Sequence, residues 1–104
     1  MQLSESVFVE RSPADVYDLV ADVRRMGKWS PECRSCEWVA DGGPSVGSRF
    51  VGTNERNGRE WAVECEVVAA TRGEEFAWVT SGGTRWGYGF VSDGDGSRVT
   101  ETWT

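Results

Sequence analysis

The 104-residue sequence contains no histidine, and this absence excludes a large group of catalytic sites. Imidazole is the general base of Ser-His and Cys-His nucleophilic sites and the commonest acid–base group near neutral pH. Without it, proton transfer would depend on carboxylates, on tyrosine or on a bound water. Zinc sites also lose their usual nitrogen ligand.

Positive charge and long apolar runs are scarce as well. The 17 acidic residues outnumber the 11 basic ones and give a net charge of -6, so no positive field attracts phosphate backbones. No apolar stretch approaches the roughly 20 residues that a helix needs to cross a bilayer. The start of the sequence follows a strand pattern rather than that of a secretory signal. We therefore expect a cytoplasmic protein with no nucleic acid partner and no membrane insertion.

The three cysteines are too few, and odd in number, for a disulfide framework. Cys33 and Cys36 form a CxxC pair. A zinc site would require Cys65 and a carboxylate as further ligands, and a redox pair would require a βαβ context that the pattern does not show. The alternative is that the cysteines are small apolar residues of strands. We predict no metal and no cofactor.

Aromatic residues, in contrast, are abundant and regularly spaced, with six tryptophans in the chain. In four consecutive strand-like runs they or other apolar residues occupy nearly every second position, and strand side chains alternate between faces. One surface of an antiparallel sheet should therefore carry them, either as a core or as the wall of a cavity. The predicted face contains Trp61, Val63, Cys65, Val67, Phe76, Trp78, Thr80, Trp86, Tyr88, Phe90, Val99 and Trp103, with the carboxylate of Glu101 between the last two.

Local signals predict an α+β fold. Ser12 followed by Pro13 is typical of a helix start, and a second helical turn is predicted from Arg24 to Lys28. Asn57-Gly58 indicates a tight hairpin. Strands are predicted at 2–10, 34–40, 48–54, 59–70, 75–80, 84–92 and from 97 onward. The expected product is a single domain, 1–104, with an antiparallel sheet of six to seven strands and two short N-terminal helices.

Several runs resemble one known family. They are SPADVYDLVADV at 12–23, MGKWSPEC at 26–33, VGSRF at 46–50, TRWGYGF at 84–90 and SRVTETW at 97–103. Together they are similar to bacterial SRPBCC proteins of the polyketide cyclase or dehydratase type, within the START-related helix-grip superfamily. The resemblance covers essentially the whole chain.

The resemblance implies a curved sheet that encloses a hydrophobic cavity, which in the family is closed by a long C-terminal helix. Members bind lipids, hormones or polyketides. Since the sequence stops at Thr104, directly after the last predicted strand, we expect a helix-grip-like sheet without that long helix. An uncovered aromatic face would exceed the few hundred Å² that a monomer usually exposes as one patch. We therefore expect a homodimer or another contact that covers the open sheet face.

Three functions follow as hypotheses: binding of a small hydrophobic ligand of polyketide, lipid or aromatic type; catalysis of the cyclase or dehydratase type; and docking of a partner chain. Glu101 is the candidate catalytic residue, because a carboxyl group in an apolar cavity can transfer protons; alternatively it meets solvent or pairs with Arg85 or Arg98. Trp29 either borders the cavity mouth or plugs the core, and Asn54 either offers an amide or stabilises the turn. The predicted ligand contacts are Trp29, Phe50, Asn54, Trp61, Val63, Trp78, Trp86, Tyr88, Phe90 and Trp103.

Overall fold

The computed structural model describes residues 3–28, 33–40 and 42–104. Within these residues it contains seven strands, one α-helix and one 3-10 helix. Their bounds are β1 (Leu3–Val9), α1 (Pro13–Ala21), the 3-10 helix (Val23–Lys28), β2 (Cys33–Trp38), β3 (Arg49–Arg56), β4 (Arg59–Thr71), β5 (Glu75–Thr80), β6 (Arg85–Asp93) and β7 (Gly96–Trp103).

Helix α1 begins as the sequence predicts. The hydroxyl of Ser12 accepts a hydrogen bond from the backbone amide of Asp15 at 3.2 Å, and Pro13 occupies the first turn, where its missing N–H costs nothing. The helix ends at Ala21. The second predicted helical segment is a 3-10 helix that starts next to Asp22, whose carboxylate pairs with Arg24 and Arg25 at 3.1 Å each.

The seven strands form one antiparallel sheet in the order β1-β7-β6-β5-β4-β3-β2. Strands β2 to β7 follow one another as a meander. Strand β1 forms the opposite end of this order and pairs with β7, with Leu3 opposite Trp103. Asn57 and Gly58 both have positive φ, 54° and 78°, as a type I′ turn between β3 and β4 requires. The α+β class and the seven-stranded sheet are therefore confirmed, and α1 is the longest helix in the described part of the chain.

The helix packs on one side of the sheet, which we call the inner face; the opposite side is the outer face. Tyr17 of α1 makes edge-to-face contacts with Phe76 and Phe90, with ring centroids 6.0 and 5.7 Å apart. Outside this contact, Nε and Nη2 of Arg72 donate to the two carboxylate oxygens of Asp18, at 2.9 and 2.7 Å. The turn after β4 is thereby tied to the outside of α1.

A bulge in β4 maintains the inner face over a long strand. Val67 pairs with Trp78, whereas Ala70 pairs with Phe76, so one extra residue lies between the two pairs on the β4 side. The register shift turns both Val67 and Ala70 inward and leaves Val68 exposed on the outer face. The sequence pattern did not predict this bulge.

Candidate ligand-binding face

Strand pairing places the aromatic residues together, as predicted. Trp78, Trp86 and Trp103 face one another across β5, β6 and β7, in one row that β1 continues with Leu3. Directly opposed residues of an antiparallel pair point to the same side of a sheet. The neighbouring row on the same side consists of Phe76, Tyr88, Glu101 and Glu5. The prediction that these residues share one face is confirmed.

Four of the predicted contact residues belong to the packed core. Phe50, Trp78, Tyr88 and Phe90 are all at most 7% exposed. Their rings interlock: Phe50 meets Trp78 edge-on at 5.7 Å, and Trp78 stacks on Tyr88 at 5.7 Å. Tyr17 covers the Phe90 end. These rings form the floor of the inner face, where the chain's own helix already shields much of the apolar surface.

The remaining described contact residues are accessible. Trp86 and Trp103 stack with centroids 5.7 Å apart and an interplanar angle of 25°, and both are half-buried. Trp61 is 37% exposed, and Val63 is half-buried against the core. Asn54 lies opposite Trp61 in β3, so its side chain is on the inner face and outside the two-residue turn. Trp29 lies outside the described residues.

Among the described residues, Tyr88 is a hydrogen-bond partner of Glu101, the predicted catalytic candidate. The buried hydroxyl of Tyr88 donates to the carboxylate of Glu101, and the burial of the phenol, followed by this carboxylate, raises the pKa of Tyr88 above its ordinary value of 10.0. The suggested arginine partners bind elsewhere: Arg85 pairs with Glu75 at 3.7 Å and Arg98 with Asp93 at 3.2 Å. A half-buried carboxylate and a phenol thus form a polar pair beside the tryptophan row.

Both tyrosines of the chain should resist ionisation while the protein is folded. Burial also raises the pKa of Tyr17, with Asp18 adding to the effect. A raised pKa in the folded state stabilises the fold fully below the unfolded value and loses that contribution as pH rises above about 10. We expect tyrosinate absorbance at 295 nm to appear at a higher pH in the folded protein than in the unfolded chain, with alkaline unfolding monitored by circular dichroism.

The same titration in concentrated urea is the control, since there both phenols should ionise near pH 10. Tyr17→Phe and Tyr88→Phe assign the two steps. A folded protein that gains half of its tyrosinate signal near pH 10 would contradict the burial of one ring.

A groove at the tip of the β3–β4 hairpin was not predicted. It is open, has a volume of about 660 Å³ and is lined by Arg56, Asn57, Arg59 and Trp61. The sequence did contain the signal: a two-residue Asn-Gly turn fixes Arg56 opposite Arg59. A second open groove, of about 470 Å³, lies where β3, β4 and β5 meet, and Val68 and Val79 contribute to it.

Metal-ligating groups do not gather in the described ranges, where no cluster of three or more His, Cys, Asp or Glu side chains occurs. Cys36 and Cys65 are both buried strand residues; the side chain of Cys33 is outside the described part. None of the described helices is long and apolar enough to span a bilayer.

Comparison with known proteins agrees with this architecture. The sequence model of a family described as "Polyketide cyclase / dehydrase and lipid transport" matches residues 1–104. The solution structure of the Polyketide_cyc-like protein Cgl2372 from Corynebacterium glutamicum is similar, with 35% identity and a TM-score of 0.70. The match covers 98% of this chain, which spans 63% of the length of that protein. Among curated proteins, none matches the sequence significantly.

More distant structures share the fold alone. A START superfamily protein from Mycobacterium smegmatis has 18% identity and a TM-score of 0.80, over 98% of this chain and 74% of that one. Major latex-like protein 151 from Panax ginseng has 12% identity and a TM-score of 0.82, over 99% and 76%. The helix-grip-like arrangement of sheet and helix is thus common to bacterial and plant proteins.

Proposed function

Because this chain belongs to the polyketide cyclase / dehydrase and lipid transport family, we propose that it binds a small hydrophobic ligand of polyketide, lipid or aromatic type on its inner face. The observation that carries the proposal is the stacked pair of Trp86 and Trp103, whose rings are half-buried at the edge of a fully packed aromatic floor. A flat ligand would extend that stack.

The physical driving force is burial. Covering apolar surface contributes about 25 cal/mol per Å², and an additional ring contact about 0.5–1.5 kcal/mol. The rings of the floor are already buried, so a ligand need displace water only from the exposed surface of the two half-buried tryptophans. Glu101 and Tyr88 supply polar groups in the row beside the tryptophans, and a few polar groups on a mainly apolar surface are the usual composition of a ligand pocket.

Titration with N-phenyl-1-naphthylamine, a neutral aromatic probe, tests this proposal. We expect quenching of tryptophan emission and enhanced probe emission with a Kd on the order of micromolar. Trp86→Leu and Trp103→Leu should each weaken binding about tenfold, because they replace a stacking surface with a smaller apolar one. Val91→Ala is the matched control on the outer face of the same strand as Trp86, where Val91 is 65% exposed.

Melting curves of all three variants ensure that affinities are compared between folded proteins. Absence of binding across a panel of apolar aromatic probes would contradict the proposal. So would equal affinity in the wild type and both tryptophan variants.

Catalysis of the cyclase or dehydratase type is a second candidate, favoured by the hydrogen-bonded pair of Tyr88 and Glu101. In that role, the carboxylate of Glu101 accepts a proton from the bound ligand, and the phenol of Tyr88 holds the carboxylate in place. Positioning of a reactive chain supplies the rest of the acceleration. Glu101→Gln should then abolish turnover of a reactive polyketide analogue while probe binding remains unchanged.

Docking of a partner chain or of a second copy is the third candidate. Leu3 and Val7 favour it, because they lie on the inner face at the free edge of β1 and are 45% and 57% exposed. Light scattering of a ligand-free sample that gives twice the mass of one chain would support a homodimer, and the monomer mass would exclude it.

The cytoplasmic location stays a prediction.

A further inference from the structure

The β3–β4 hairpin pairs like charges on two successive rows. Arg56 lies directly opposite Arg59, and Glu55 lies directly opposite Glu60. Like charges in this position destabilise a hairpin, whereas opposite charges stabilise it. Exchanging the residues at positions 59 and 60 would turn both rows into favourable pairs without changing the composition. The chain instead places its two arginines opposite each other.

Strand alternation then separates the charges between the two faces. Arg56 and Arg59 share the inner face with Asn54 and Trp61, because each lies two residues from one of them along its strand. Glu55 and Glu60 are on the outer face. In a chain of net charge -6, the tip of this hairpin presents two cations on the same side as the aromatic residues.

The chemistry of this tip suits an anion attached to an apolar body. Guanidinium groups bind carboxylate, phosphate or sulfonate oxygens through charge-assisted hydrogen bonds. The ring of Trp61, 37% exposed, lines the same groove as the two arginines. Val63 follows on the same face, one step further along β4 and packed against the core. The charged residues at the tip are thus followed along β4 by two apolar residues on the same face, Trp61 and Val63.

We propose that the ligand is an amphipathic organic anion whose charged group lies between Arg56 and Arg59 while its apolar body lies along Trp61 and Val63. This assignment goes beyond the proposed function: it names a class of ligand for the hairpin end of the inner face, whereas the proposed function concerns the Trp86–Trp103 stack. Arg56 and Arg59 are specificity-determining residues in it, and they recognise charge rather than shape.

Two probes that differ by a single sulfonate group test the assignment. N-phenyl-1-naphthylamine is neutral, and 8-anilino-1-naphthalenesulfonate is the same scaffold with one negative charge. The wild type should bind the sulfonate roughly tenfold more tightly than the neutral probe, and the excess should shrink as salt screens the charges. Arg56→Gln/Arg59→Gln should remove the preference and leave the affinity for the neutral probe unchanged.

The control is Arg49→Gln/Arg98→Gln, which removes the same number of charges elsewhere. Both of these arginines are exposed and paired with carboxylates, Arg49 with Glu66 at 3.5 Å and Arg98 with Asp93 at 3.2 Å. The control should retain the full preference for the sulfonate. An equal loss in the control would mean that net charge, not the hairpin tip, governs binding, and would overturn the assignment.

A charge exchange at fixed composition gives an independent readout. Arg59→Glu/Glu60→Arg converts both rows into opposite-charge pairs, so it should raise the melting temperature while abolishing the preference for the sulfonate. If the neutral probe binds but the wild type shows no preference for the anion, only this assignment fails. If neither probe binds, the proposed function fails and takes the assignment with it.

Discussion

Gly96→Ala is expected to lower the free energy of unfolding by about 3 kcal/mol or more. The whole free energy of unfolding of a small domain is only roughly 5–15 kcal/mol, so this is a large part of it. Gly96 is buried at the start of β7, where a β-carbon would collide with the backbone carbonyl of Val9 and would also press on the ring of Phe8. Backbone atoms of the paired edge strand cannot move aside without breaking the β1–β7 ladder. Urea unfolding monitored by circular dichroism measures the effect.

Gly89→Ala is the matched control for this substitution. Gly89 lies in the neighbouring strand β6, and nothing lies within 4 Å of the position its β-carbon would occupy. Alanine there should leave the unfolding midpoint unchanged or raise it, since it restricts the unfolded chain. A Gly96→Ala protein with the wild-type midpoint would show that β1 does not approach β7 as closely as described.

Phe76→Ala should lower the free energy of unfolding by about 3–5 kcal/mol, the usual range for replacing a large buried aromatic ring with alanine. Phe76 is 0% exposed and lies under α1, with Tyr17 edge-on at 6.0 Å and Trp78 at 5.8 Å. Its removal takes away both transfer free energy and the surface on which the helix rests. We expect a lower unfolding midpoint together with loss of near-ultraviolet circular dichroism from the aromatic floor.

Phe8→Ala is the control with the same chemistry, because Phe8 is 42% exposed on the outer face of β1. The loss of unfolding free energy in Phe8→Ala should be no more than about a third of the loss in Phe76→Ala. Similar losses for both phenylalanines would contradict the statement that the core lies between α1 and the inner face.

The sequence predicted those features of the fold that short-range rules determine. Ser12 and Pro13 located the start of α1, Asn57-Gly58 located the β3–β4 turn, and residue alternation placed Trp86 and Tyr88 on one face of β6. These features depend on local hydrogen bonding and on the two-residue period of strands. The predicted strand ends lie within a few residues of the observed ones.

Exposure of the individual rings could not be predicted, because it depends on where α1 docks. Tyr17 over Phe90 buries one end of β6, while Trp86 at the other end remains accessible, yet alternation treats the two positions alike. The partner of Glu101 was missed for a related reason: Tyr88 becomes its neighbour only through the β6–β7 register. The pairing of Arg56 with Arg59 was predictable from the Asn-Gly turn, because a two-residue turn places the residues on either side of it opposite each other.

The location of a bound probe tests the central claim most directly. In a ¹H–¹⁵N correlation spectrum, indole N–H signals report on each tryptophan separately while N-phenyl-1-naphthylamine is added. Binding on the inner face predicts large shifts for Trp86 and Trp103 and none for the backbone amides of Val68 and Val79, which belong to the other groove. Shifts confined to that second groove, with both indoles unmoved, would contradict the account.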